Sequence, residues 1–381
     1  MPRLADPRPG TPLEIRGRAL KFSYWPMYRT TRRYGLQSHV YVTNPWAVIR
    51  SAVNGRCATA PLRLEAGAYT DQARFLFDAA TGTKEWAAKP LLLYYSFMNL
   101  AKAFILVSGL RSMLDQAQHG CSEKLRVGRR ELLDAYLEVY PSPPSGRASV
   151  FADFWRSLSG YTLSTKVELD LTALLPQVVA GHRVWCDAAH EQERFIGVKE
   201  IQILHNKPTK ELWAVLHVFG STLPLLGLSS RQMLLRSGLS PTFREVKGVQ
   251  DAATNQWILR FEQRATTVYT HRPSDQVQEL IQGFRHSLSA TATTISPYRT
   301  YYIYVAPPGG RTQVLPQLLA IYAISFYLGS ITRYRPQHFD SILGSSFGGH
   351  LQEFLASQPM QFLYLLASEF ARREITRAEL V

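Results

Sequence analysis

The chain has 381 residues, 46% of them hydrophobic and 19% charged, with 22 prolines spread along it, a composition that fits a globular protein and argues against disorder. A formal net charge of +14 favours an anionic partner, whether nucleic acid, a nucleotide or a membrane surface, without choosing among them. Cys57, Cys121 and Cys186 lie far apart with no C-x-x-C pair, so neither a disulfide framework nor a zinc site is readable, and a reducing compartment is favoured.

The first sixty residues form a basic, aromatic-rich segment. Residues 1–56 hold ten Arg or Lys against Asp6 and Glu14, and Phe22, Tyr24, Trp25, Tyr28 and Tyr34 alternate with Arg29, Arg32 and Arg33. Arginine forks on phosphates together with stacking aromatics suit single-stranded nucleic acid, while the competing reading is a strand that packs its aromatics inward. Arg outnumbers Lys 33 to 10, which fits phosphate binding but also follows from a GC-rich genome. The run after Ser38 alternates like a strand. Met1 to Asp6 lacks the apolar core of a secretory signal, so a cytoplasmic protein is expected.

Residues 61–160 read as the first part of a helical module. Tyr69, Ala73, Leu76 and Phe77 share one side of an amphipathic helix over residues 68–80, with Thr81-Gly82 as its stop. Lys89-Pro90 then opens a helix to Gly109 that is apolar nearly all round, as a helix in the middle of a bundle would be. Ser96, Asn99 and Lys102, three apart, form one narrow polar stripe on it. Both this run and residues 314–331 approach membrane length, but Asn99, Lys102, Gln317, Ser325 and Ser330 interrupt them, so buried helices are expected and no membrane span. PSPPSG at residues 141–146 is a linker or long turn, followed by helical spacing at 150–157.

Residues 161–310 read as an α+β region. Runs at 198–204, 243–249, 256–262 and 300–305 are short and rich in β-formers, and helices at 229–236 and 277–288 would cover one face of a small sheet. Residues 311–381 form a C-terminal helical part that packs back on the first helices. Pro316 opens an all-apolar helix ended by Pro336, a Gly-Ser loop spans 344–349, and helices follow at 351–356 and 359–379. The fold class expected is therefore α+β, mainly a helical bundle formed by N- and C-terminal helices, with an inserted small β-sheet.

Lys89-Pro-Leu-Leu-Leu-Tyr-Tyr-Ser-Phe-Met-Asn-Leu-Ala-Lys-Ala-Phe, followed by His119-Gly120, resembles the opening of the bacterial YaaC-like family, and Arg333-Tyr-Arg-Pro after an apolar helix resembles that family's R-Y-x-P element. The resemblance spans most of the chain from about residue 66 and implies no defined biochemical role. The Tyr-Tyr…Asn-Leu-Ala-Lys-Ala helix is also similar to the first helix of HEPN domains, helical bundles that include metal-independent RNases and structural members of defence systems. That likeness implies a nucleic-acid-binding or protein-interaction component, a structural partner subunit, or a ribonuclease using Arg333 and His338.

The Arg333 to His338 spacing matches the HEPN nuclease count, yet Pro336 breaks the helix between them. Arg333 and Arg335 also extend the basic set of Arg29, Arg32 and Arg33 expected to meet nucleic acid. Asn99 and Lys102 must find partners or solvent, and the functional reading is a polar pocket with His119 between their helix and the one at 322–333. Residues 344–348 match G-x-S-x-G with His350 nearby, but no strand precedes the Ser as a nucleophile elbow requires. No phosphate loop, dinucleotide fingerprint or metal-ligand spacing is present, so neither cofactor nor metal is expected. Partners expected are RNA or DNA, a protein, or a second copy of the chain.

Overall fold

The computed structural model describes residues 4–15, 17–25, 39–126, 128, 134–143, 147–294, 301–308 and 313–377. Two compact units divide the chain: Met1–Val40 with Arg194–Gly310, and Tyr41–Glu193 with Arg311–Val381.

In the first unit, eight strands form one antiparallel sheet among the described residues. Its main path runs Phe243–Gln250, Trp257–Gln263, Glu211–Phe219, Phe195–Asn206, Tyr301–Tyr304 and Ala292–Thr294. The helix Pro273–Thr291 lays Val277, Leu280, Ile281, Phe284 and Leu288 on the face carrying Ile196, Ile203, Leu212, Leu216 and Phe261. Ser229 caps Ser230–Arg236 through a reciprocal box with Gln232. The near N-terminal aromatics point inward: Phe22 lies 5.3 Å from Tyr24 and 5.5 Å from Tyr301, and Arg285 sits over Trp25 at 4.1 Å. The inward-packing reading thus holds for residues 22–25, while Arg29, Arg32 and Arg33 lie outside the described residues.

The second unit is built on two helices that are apolar around most of their circumference. Lys89–Ser108 and Gln317–Tyr334 pack side by side, and Gly329 makes the approach close: a Cβ there would stand 3.0 Å from Tyr94 Cβ. Lys89–Ser108 is, among the described residues, one helix long and apolar enough to cross a membrane, and 72% of that window is buried inside the molecule. Phe97 stacks on Phe362 of the helix Gly348–Ala371 at 4.0 Å, and Phe104 meets Phe370 at 5.2 Å and Phe154 at 6.2 Å. The helices Pro45–Arg56 and Ala60–Gly82 close this core through Trp46 and Phe77.

The expectation of a mainly helical, HEPN-like bundle with a small inserted sheet does not hold. The chain is an α+β mixture, 47% helix and 21% strand, with several multi-stranded sheets. Glu211–Phe219 is buried at seven consecutive positions, so it shows no alternation to betray a strand. Cys121–Leu125 and Ala135–Val139, in the segment expected to be helical, form a three-stranded sheet with Val167–Asp170 of the expected α+β region, in runs too short to stand out. Pro359 sits inside Gly348–Ala371 where the sequence suggests two helices. Its missing N–H leaves the helix unbroken because Phe354, Leu355, Phe362 and Leu363 anchor both flanks in the core.

Candidate functional site

The polar stripe of Lys89–Ser108 finds its partners on the helix Ala60–Gly82. Ser96 Oγ donates to Ala73 O at 2.8 Å, Asn99 Nδ2 donates to Gln72 Oε1 at 3.1 Å, and Lys102 Nζ lies over the Tyr69 ring at 5.0 Å. Asn99, only 4% exposed, belongs to this seam and not to a pocket with the 317–334 helix. Lys102 is half-buried, and the loss of solvent lowers its pKa while Glu65 opposes that shift.

His119 gathers more. Its Nδ1 is hydrogen-bonded to the Tyr94 hydroxyl, and its ring packs 6.2 Å from Phe326. Partial burial lowers its pKa, and Lys102 and Arg333 lower it further, so two cations stand within electrostatic reach of one neutral imidazole. Beneath it, burial drives Tyr94 and Tyr322 well above the ordinary tyrosine value, and both stay protonated.

Gly120 follows His119 at φ +78°, and a Cβ there would lie 1.9 Å from Ser149 Oγ. Only glycine fits, because the turn is pressed against the start of Val150–Ser159. Gln118, His119, Gly120 and Cys121 line a cleft of about 630 Å³ together with Tyr140, Pro141, Pro143, Arg147 and Ser149. The helix start beside it is already satisfied: Val150 N donates to Gln118 O, Phe151 N to His119 O, and Ala152 N to Ser149 Oγ. The cleft's polar chemistry therefore comes from His119, Gln118 and Arg147 and not from the helix end.

On the same unit, the end of Gln317–Tyr334 presents an exposed basic and aromatic platform. Arg333 donates to the Tyr95 hydroxyl at 3.0 Å and lies across the Tyr334 ring at 4.9 Å, and Tyr334 is 67% exposed. Arg335 is differently placed, ion-paired with Glu123, whose side chain is largely buried. It fastens the helix end to the three-stranded sheet.

His338 lies in the next helix, Pro336–Leu343, where its Nε2 meets the Tyr327 hydroxyl at 3.3 Å. Arg333 and His338 thus sit in successive helices broken at Arg335 and have different partners. Residues 344–348 connect two helices with no strand before Ser346, and His350 is buried with Nδ1 against Gly181 O at 3.1 Å. A Cβ at Gly348 would strike Leu343 O, which explains that glycine by packing alone. No cluster of three metal-ligating side chains occurs among the described residues.

The helix of Lys89–Ser108, the His119-Gly120 turn and the helix ending at Arg333-Tyr334 lie inside one family match: the model for the YaaC-like protein family covers residues 41–370. The chain belongs to the YaaC-like family. No curated protein and no solved structure matches it. Within this YaaC-like chain, sequence reasoning singled out His119, Lys102 and Arg333, whereas Tyr95, Gly120 and Tyr334 entered only as parts of motifs and Arg147 not at all.

Proposed function

We propose that the helical unit of this YaaC-like protein binds single-stranded nucleic acid, with Arg333, Tyr334 and Tyr95 as the contact platform and the His119 cleft receiving one nucleotide. The observation that carries this reading is the exposed Tyr334 ring with the Arg333 guanidinium laid across it. An open aromatic face offers a base a stacking surface, and the adjoining arginine offers a phosphate a fork of donors. Lys102 and Arg333 supply positive potential around His119, and a cleft of about 630 Å³ falls in the range that small ligands occupy. The net charge of +14 brings a polyanion to the surface.

The test is fluorescence-anisotropy titration of the full chain with labelled single-stranded RNA, single-stranded DNA and duplex DNA across a salt series. Binding of the single strands that weakens steeply with salt supports the proposal. Equal binding of duplex and single strands contradicts the stacking role, and no binding at low salt contradicts the function.

A further inference from the structure

The helix Ala60–Gly82 packs one side against Lys89–Ser108 and leaves the other in solvent, and that outer side carries two large apolar side chains among its charges. Leu64 is 78% exposed and Phe75 72% exposed, the two most exposed large apolar side chains of this unit among the described residues. At 3.6 residues per turn, Leu64, Asp71, Phe75 and Gly82 fall within about 20° of a single line along the helix. Exposed Ala68 and Ala79 flank it on one edge, and Arg63, Arg74 and Asp78 lie toward the other. A Cβ at Gly67 or Gly82 would meet nothing, so the face is open along its length.

We infer that this face is the contact through which two copies of the chain pair, their Ala60–Gly82 helices antiparallel about a two-fold axis between residues 71 and 72. The pattern is self-complementary in size and in charge. In that register Leu64 lies opposite Ala79 of the second copy, and Phe75 lies opposite Ala68, so each large side chain meets a small one. A two-fold axis perpendicular to the helices sets like edges against each other. Arg63 then comes beside Asp78 of the second copy, and Arg74 beside Asp71, each contact occurring twice. Within one copy Arg74 already pairs with Asp78 and Asp71 with Arg50, but all four side chains are exposed, so each can exchange its partner for one across the axis. A partner with a different sequence would need this alternation by coincidence, whereas a second copy brings it.

Sedimentation velocity of the full chain over about two decades of concentration, roughly 1 to 100 μM, tests the pairing. The expected result is a concentration-dependent dimer. L64E and F75E should each shift it to monomer, with a thermal midpoint equal to that of the wild type at concentrations where the wild type is also monomeric, because both side chains are exposed. R63D alone and D78R alone should each weaken dimerisation several-fold, and R63D/D78R together should restore it. A wild-type chain that stays monomeric throughout overturns the inference, as does a dimer indifferent to L64E and F75E or a double swap that fails to recover.

Discussion

Gly120→Ala probes the turn that carries His119, and its cost can be assembled from the structure. The residue sits at φ +78°, where an L side chain costs about 1–2 kcal/mol relative to glycine. The new methyl would also occupy the place of Ser149 Oγ, 1.9 Å from the built Cβ, so Ser149 must move. That oxygen accepts from Ala152 N at 3.3 Å as the helix cap and donates to Tyr140 O at 3.0 Å, and losing a cap costs about 1 kcal/mol. The expected total is about 2–4 kcal/mol, read by urea denaturation of the wild type, G120A, S149A and the double variant. Because part of the cost acts through Ser149, G120A should cost less in the S149A background, by about 1 kcal/mol or more. Strict additivity, or a G120A cost under about 0.5 kcal/mol, refutes the close packing of this turn on the helix start.

Phe97→Ala removes a ring that is 1% exposed and stacked on Phe362, so a loss of about 3–5 kcal/mol and a fall in Tm of roughly 6–20 °C are expected by calorimetry; a fall of a degree or two contradicts its place at the centre of the core. His350 has its pKa lowered to about 4, first by burial, with the Gly181 carbonyl opposing the shift. Because the folded value lies below the ordinary 6.5, the unfolded chain binds more protons between them, and stability falls as pH drops from about 6.5 to 4 by roughly 3 kcal/mol. His350→Gln should flatten that part of the pH dependence in urea titrations, and parallel curves for the two proteins would refute it. Arg333→Ala should raise the His119 pKa, because removing a nearby cation stabilises the imidazolium; an NMR titration showing no upward movement contradicts their proximity.

The sequence made the long helices legible because their signals are local. Lys89-Pro90 and Gly109 bracket one helix, and Pro316 and Pro336 bracket another. Strands were legible where short β-rich runs stand between turn-formers, as in Trp257–Gln263, and hidden where both faces are covered, as in Glu211–Phe219. Asn99 and Lys102 stood out as polar residues on an apolar helix, but spacing alone could not say whether Ala60–Gly82 or Gln317–Tyr334 would face them. Pairing of His119 with Tyr94 links residues twenty-five positions apart through a glycine turn, and nothing local encodes that closure. Tyr334, quoted only within the R-Y-x-P element, was not singled out because an aromatic at a helix end reads as core until its 67% exposure is seen.

The most direct test of the binding proposal compares the wild type, Tyr334→Ala and Arg333→Ala for affinity to a single-stranded oligonucleotide as salt is raised. Loss of a stacked base should weaken binding by about 1–3 kcal/mol in Y334A with the salt slope unchanged, whereas R333A should reduce the slope by about 0.7 as one phosphate contact is lost. Wild-type binding that neither variant alters, in affinity or in slope, would contradict the platform at Arg333 and Tyr334.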